Sequence, residues 1–313
     1  YRDLAFMGYV EVLMNIRTIS KNLSFCEKDI LNYQPDALIL IDYPGFNLRI
    51  AKKIHPKGIK VFYYISPQIW AWKKNRIHTI KKFVDKMHVI LPFEKDFYKK
   101  LNYPVEYVGH PLIDAVNNNF VSQKPHPQLD AILENDSRKI IAILPGSRKQ
   151  ELTKMLPLMT TLPDLFPEYQ WIIAGVSWQP AELYHKLTSN PNLKMVVDET
   201  YSLLSKSYAA VVTSGTAVLE TALFGVPQVV CYKSSRISYE IAKRLVKDIR
   251  FVSLVNLILD REVITELIQH DFNSKKLIEE TTKILNESHR SKVFKDYDEL
   301  KMILGEGGAS AKM

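Results

Sequence analysis

Lys139-Ile140-Ile141-Ala142-Ile143-Leu144-Pro145-Gly146-Ser147-Arg148 is the stretch on which the reading of the fold turns. Its apolar residues run on without alternation, as in a strand buried on both faces. Pro145-Gly146 ends the run, and Ser147 and Arg148 lead into a segment, Thr153–Leu165, with a helical apolar period. The same order recurs as Ala209–Thr213, Ser214-Gly215-Thr216 and Ala217–Phe224. Working outward, Ala37–Ile41, Lys60–Ile65, Met87–Leu91 and Glu106–Val108 read as strands before it, and Trp171–Ala174, Lys194–Val197 and Gln228–Cys231 after it. Leu48–Ile54, Arg76–Val84, Lys95–Leu101 and Tyr239–Leu245 read as helices. Continuous strands separated by helices predict an α/β fold of doubly wound parallel sheets.

A chain of 313 residues holds two domains, each with its own core. Hydrophobic residues make up 46 % and charged residues 24 %, a globular balance that argues against disorder. The polar stretch Asn117–Arg138, with Pro125 and Pro127, reads as the linker. It divides the chain into a first domain, 1–136, a second, 137–288, and a C-terminal docking helix and tail, 289–313. Within Glu287–Leu304, Val293, Phe294, Tyr297, Leu300 and Ile303 read as one apolar face, expected to dock on the first domain or on a partner chain, as in a homodimer. No run of ~18 apolar residues reads as a membrane span, so membrane contact is expected to be peripheral. Cys26 and Cys231 lie far apart in apolar surroundings and are expected to be thiols of a reducing compartment. The opening, Tyr1-Arg2-Asp3-Leu4, has neither a signal-type pattern nor an initiator Met, and suggests a chain that begins inside a longer protein.

Ligands of open parallel sheets bind beyond the carboxyl ends of the strands. Gly146, Ser147 and Arg148 stand at one such end, where Gly admits close backbone approach, Ser caps a helix and Arg clamps a phosphate. The other reading is a tight turn with a helix cap. Ser214, Gly215 and Thr216 repeat the arrangement, and two such turns suit a diphosphate held by backbone N–H groups. Glu220, one helical turn on, is placed to accept from the vicinal hydroxyls of a ribose, or is a capping acid. Asp42, in Ile41-Asp42-Tyr43-Pro44-Gly45, is either a general base for a sugar hydroxyl or a turn-initiating residue. Trp70, Trp72, Lys73, Lys74, Arg76, Lys81 and Lys82 follow the strand Lys60–Ile65. They suit an anionic bilayer surface, nucleic-acid bases, or a Trp core beside a solvated helix. The net charge of +8 fits an anionic partner. Eight histidines show no metal-ligand spacing, and no Walker A, G-x-S-x-G or G-x-G-x-x-G motif occurs.

Taken in order, Leu4–Leu13, Ile41–Asn47, Tyr64–Trp72, Leu91–Lys95, Val108–His110, Leu144–Arg148, Ser214–Glu220, Ala242–Val246 and Val252–Leu257 resemble the lipid-A-disaccharide synthase family. The pair Ser66-Pro67-Gln68-Ile69-Trp70-Ala71-Trp72 and Leu144-Pro145-Gly146-Ser147-Arg148 carries the specificity. The resemblance implies a GT-B fold, two Rossmann-like domains facing each other across a cleft. It implies transfer from UDP-2,3-diacylglucosamine to 2,3-diacylglucosamine 1-phosphate, with inversion to a β-1,6 link and release of UDP. It implies no metal or other cofactor, no nucleic-acid partner, and a peripheral position on the cytoplasmic face of the inner membrane. Asp42 matches the family's catalytic aspartate, Arg148 its phosphate-site arginine, Glu220 its ribose-type glutamate and Asn256 a donor-site asparagine.

The family begins with a strand and a glycine- and serine-containing loop upstream of the Leu4–Leu13 match, which this sequence does not carry. The first domain is therefore expected to be incomplete and the transferase activity of this chain to be low. The rival readings are another GT-B UDP-sugar enzyme (a hexosaminyltransferase or a UDP-sugar 2-epimerase) and a non-catalytic remnant that binds UDP or lipid. The first of these is not expected to carry Ser66–Trp72 as it stands here.

Overall fold

The computed structural model describes residues 16–121, 126–134, 136–188, 190, 193–235, 239–240 and 250–312. The resemblance at Leu4–Leu13 and at Ala242–Val246, and all but the start of the helix read at Tyr239–Leu245, lie outside the described residues.

The chain divides into two compact units, one made of the residues up to His110 together with the end of the chain from Gly308, the other of most of the residues from Pro111 to Gly307. The first contains α1 (Ile16–Tyr33), β1 (Ala37–Ile41), α2 (Pro44–Ile54), β2 (Lys60–Tyr64), α3 (Ile77–Phe83), β3 (Lys86–Val89), α4 (Glu94–Lys100) and β4 (Glu106–Tyr107). Its strands form a parallel sheet in the order β1-β2-β3-β4. Leu48, Ile50, Ala51 and Ile54 recur at helical spacing and turn one face of α2 inward, where they join Val61, Tyr63, Ile80 and Met87 in the core. On β1, Ile39 and Ile41 are about half exposed, at 49 % and 55 %.

The second unit opens with α5 (Pro111–Val121) and α6 (Pro127–Leu133), and continues β5 (Ile140–Leu144), α7 (Lys149–Met159), β6 (Gln170–Gly175), α8 (Ala181–Leu187), β7 (Lys194–Val197), α9 (Thr200–Lys206) and β8 (Ser207–Thr213). It closes with α10 (Thr216–Leu223), β9 (Gln228–Tyr232), α11 (Leu254–Leu259), β10 (Glu266–Ile268), α12 (Ser274–Leu285) and α13 (Glu287–Leu304). The six strands are parallel, in the order β10-β9-β8-β5-β6-β7. Ala142, Leu144, Ala210 and Val212 enter one core layer, and Ile141, Ile143, Ala209 and Val211 the other. Alternate residues thus bury on opposite faces, which is why the run 139–144 shows no polar alternation.

Two expectations are corrected. The boundary read at 136/137 falls instead at His110/Pro111, because Ile113 and Val116 of α5 and Leu129 of α6 are buried in the second unit's core. Glu199 further ties α6 to that unit, accepting from the backbone N–H of Gln128 at 3.3 Å and of Leu129 at 3.0 Å. The helix Glu287–Leu304, read as part of a separate docking segment, is likewise part of the second unit, while the tail from Gly308 groups with the first. Val293, Tyr297, Leu300 and Leu304 are buried there, while Phe294 and Ile303 each stay 38 % exposed. The Tyr297 hydroxyl accepts from Gln228 Nε2 at 3.2 Å and donates to the Val226 carbonyl at 3.3 Å. The apolar face of α13 is therefore taken up within its own unit. No helix among the described residues is long and apolar enough to cross a membrane.

Candidate active site

In the second unit the chain runs from β5 outward through β6 and β7, then returns to β8 on the other side of β5 and runs outward through β9 and β10. The direction of winding therefore reverses between β5 and β8, where a crevice opens beyond the carboxyl ends. β5 and β8 pair directly, with Leu144 opposite Val212, so the two helix-start turns emerge side by side.

The β5–α7 turn is fully ordered by its own acid. Gly146 has φ of +96°, and a Cβ there would meet Glu151 Oε2 at 2.5 Å. Only glycine fits on both counts. Glu151 Oε2 accepts from the backbone N–H of Ser147 at 3.0 Å and of Arg148 at 3.2 Å, and its Oε1 accepts from Arg148 Nη1 at 2.8 Å. The carboxylate thus sits where a helix start and a guanidinium would receive an anion. Trp178 and Gln179 donate from their side chains to the Ser147 carbonyl, each at 3.1 Å, and fix the outer side of the turn.

The β8–α10 turn is open. Gly215 is extended, and space surrounds the position its Cβ would take. No side chain caps α10. Glu220 Oε1 accepts from the Tyr201 hydroxyl at 2.7 Å. Burial raises the Glu220 pKa, opposed by that hydrogen bond. The structure brings Gly146, Ser147, Arg148, Ser214, Gly215 and Thr216 to adjoining turns of one edge, with Glu220 one turn into α10.

Asn256 is not among them. It is fully buried, and its Nδ2 donates to the Ile264 carbonyl at 2.8 Å and to Glu266 Oε1 at 3.0 Å. Its Oδ1 accepts from the N–H groups of Val263 at 2.8 Å and Ile264 at 3.1 Å. Each amide hydrogen and lone pair is used, so none is left for a donor substrate. Asn256 instead braces Glu266, whose carboxylate accepts from the N–H groups of Val252 and Ser253.

In the first unit, Asp42 stands at the carboxyl end of β1 with its side chain exposed. Asp42 and Tyr43 both adopt left-handed φ, 46° and 44°, which non-glycine residues seldom do. The turn is held by its neighbours. Tyr63 donates to the Asp42 carbonyl at 2.6 Å, and Asn47 Nδ2 donates to it at 2.7 Å and to the Ile41 carbonyl at 2.9 Å. Ile65, after β2, is also left-handed at 59°.

The Ser66–Trp72 loop closes over Glu94, which lies in the family-like stretch Leu91–Lys95 but receives no role from the sequence. Glu94 is 1 % exposed, and its Oε1 accepts from Ser66 Oγ at 2.5 Å and Trp70 Nε1 at 3.2 Å, its Oε2 from the Leu91 N–H at 3.0 Å. Burial pushes its pKa up to about 7, against the pull of these donors. Trp70 also packs edge-on against Phe93, with ring centroids 5.0 Å apart. It is therefore committed to the loop's interior rather than to an outside surface. Trp72 carries the cations instead, Lys73 Nζ at 4.3 Å and the Arg76 guanidinium at 5.4 Å from its ring centre. Lys74, Lys81 and Lys82 are exposed. Among the described residues no three or more His, Cys, Asp or Glu side chains cluster as a metal site would need.

The sequence profile described as lipid-A-disaccharide synthetase matches residues 1–311. The chain belongs to the lipid-A-disaccharide synthase family. Its relatives include the lipid-A-disaccharide synthases of Trichlorobacter lovleyi, 36 % identical over 99 % of this chain and 82 % of that protein, and of Coxiella burnetii, 35 % identical over 98 % and 82 %. The family comprises glycosyltransferases of lipid A biosynthesis. Among solved structures the chain is similar to UDP-GlcNAc 2-epimerase from Neisseria meningitidis bound to UDP-GlcNAc, with TM-score 0.67 and 14 % identity over 97 % of this chain and 80 % of that one. It is also similar to a spinosyn rhamnosyltransferase, with TM-score 0.55 and 12 % identity over 94 % and 76 %. At such identities the likeness is one of fold, the GT-B arrangement of two Rossmann-like units.

Proposed function

We propose that the chain joins UDP-2,3-diacylglucosamine to 2,3-diacylglucosamine 1-phosphate, releasing UDP and inverting the anomeric carbon to a β-1,6 link. Asp42 takes the proton of the acceptor's 6-hydroxyl, the freed oxygen pair attacks C1 of the donor, and the C1–O bond electrons leave on UDP. Arg148 and the N–H groups of Ser147, Gly215 and Thr216 take up the charge of the departing diphosphate, so no metal or other cofactor is required. Glu220, steadied by Tyr201, receives the ribose hydroxyls. The observation that carries the donor side is the pair of helix-start turns at the β5/β8 reversal. The substrates carry acyl chains, and the basic surface around Trp72, with Lys74, Lys81 and Lys82, is proposed to rest on the anionic cytoplasmic face of the inner membrane.

The deciding assay is UDP release by the purified chain in mixed micelles, with both substrates and with each alone. Release that requires the acceptor and yields the disaccharide supports the reading; release indifferent to the acceptor rejects it. For the membrane contact, co-sedimentation with phosphatidylglycerol vesicles should weaken as NaCl rises, because surface attraction fades over a Debye length of ~8–10 Å. Salt-independent sedimentation rejects it.

A further inference from the structure

Three cations lie near one another in the first unit. Arg49 comes from α2, and Lys73 and Arg76 from the segment between β2 and α3. Lys73 and Arg76 share the Trp72 ring, and Arg49 lies close enough to feel both charges. Elsewhere in the first unit Lys53 pairs with Glu27, Lys60 with Asp85 and Lys86 with Glu106, while Lys81 and Lys82 stand exposed on a helix face. Among the described residues no salt bridge includes Arg49, Lys73 or Arg76. Burial, and then the neighbouring positive charges, hold the Lys73 ammonium below its ordinary pKa. Arg76 is depressed as well, by burial and by Arg49, with the Tyr63 oxygen acting the other way.

The backbone adds a second sign. Lys73 adopts φ of 54°, a left-handed conformation that a lysine resists, at the start of the short turn carrying Arg76. Like charges and an unfavourable φ are tolerated together here, and an anion between the cations relieves the first of these. Tyr63 links the cluster to the base. Its hydroxyl donates to the Asp42 carbonyl at 2.6 Å, and its oxygen lies near Arg76.

We propose that Arg49, Lys73 and Arg76 form a phosphomonoester site that grips the anionic end of the acceptor sugar while its far hydroxyl reaches Asp42. The assignment rests on the transferase reading above. Two cations sharing one ring, with a third close by, suit a compact dianion, which guanidinium groups bind through paired N–H donors. A bilayer surface asks instead for charges spread over a face, as Lys81 and Lys82 are.

The test uses the indole N–H signal of Trp72 in a ¹H–¹⁵N spectrum of the whole chain, identified by its loss in Trp72→Phe. Glucosamine 1-phosphate should shift it saturably, and glucosamine should not. Arg49→Gln and Arg76→Gln should each weaken that binding about tenfold, the loss of one charge-assisted contact, with Arg76→Lys recovering part of it. Lys100→Gln, on the exposed end of α4, should leave it unchanged. In turnover, Arg49→Gln should raise the acceptor KM about tenfold with kcat and the donor KM held. An acceptor lacking the phosphate should be indifferent to the substitution. The site is overturned if glucosamine 1-phosphate gives no saturable shift, if Lys100→Gln weakens binding equally, or if only phosphatidylglycerol vesicles move the signal. A chain that binds the sugar phosphate yet releases no UDP keeps this site and loses the transferase reading; transfer without the shift does the reverse.

Discussion

Two stretches of carboxyl edge, the β5–α7 turn of the second unit and the turns after β1 and β2 of the first, are built on opposite terms. In the second unit, the β5–α7 turn places its positive φ on Gly146 and neutralises Arg148 with Glu151. It is relaxed and self-satisfied as it stands. In the first unit, left-handed φ falls on Asp42, Tyr43, Ile65 and Lys73, none of them glycine, at a cost of about 1–2 kcal/mol each. The cations beside them have no acid partner among the described residues. Those turns persist because Tyr63, Asn47 and Glu94 hold them through hydrogen bonds from the sheet and from neighbouring loops. A ligand entering at the β5–α7 turn must displace an internal anion; one entering beside Trp72 finds charge already waiting. On the proposed function, the nucleotide side is thus guarded and the acceptor side poised.

The sharpest way to break this contrast is at the poised edge. Asp42→Asn should lower turnover by ~10²–10⁴ while UDP affinity, a property of the other unit, stays as it was. Steady-state assays and calorimetry would show it, and near-normal turnover would remove Asp42 as the base. Next in size is Glu94. Its pKa rises from 4.5 to about 7 on folding, so between those values the folded chain holds a proton that the unfolded chain has released. Stability contributed below about pH 4.5 is then lost as pH rises through about 7, up to roughly 3 kcal/mol. Denaturant midpoints measured across that window should fall in the parent and stay flat in Glu94→Gln; equal slopes would contradict the assignment.

At the guarded edge, Arg148→Ala should weaken UDP binding by ~1.5–3 kcal/mol. Glu151→Gln should act in the opposite direction, because the internal anion is gone. If both substitutions weaken UDP equally, Glu151 presents Arg148 rather than competing with the ligand. The smallest effect separates the two glycine turns. Gly146→Ala forces a Cβ against Glu151 at φ +96° and should cost ~1–3 kcal/mol of stability. Gly215→Ala meets no atom within 4 Å and should change stability by no more than ~0.5 kcal/mol. Thermal melts of both variants decide it.

Much of this architecture is legible in the order of the amino acids. Long apolar runs such as 139–144 and 209–213 announce buried parallel strands, because burial on both faces leaves no polar position in them. β10 escapes notice because its three residues, Glu266–Ile268, are too few to form such a run. The stretch 117–138 reads as a linker because α5 and α6 bury only a few side chains each, leaving their composition polar. Asp42, Arg148 and Glu220 stand out because they follow strands, where the fold must turn toward its ligands. Asn256 comes with the resemblance, and only its surroundings reveal an internal brace. Glu94 and Arg49 carry no such signal, since apart from the Leu91 N–H beside Glu94 their partners lie more than twenty residues away in sequence.

The place of α13 in the second unit also bears on how the protein is made. Tyr297 bonds to Gln228 and Val226, and Leu300 and Leu304 fill the same core as Ile113 and Val116 from the unit's first helix. During synthesis that core stays open until α13 has emerged from the ribosome. For that interval Val218, Leu219 and Val230 lack their cover, and the nascent second unit must be kept from its neighbours on the polysome.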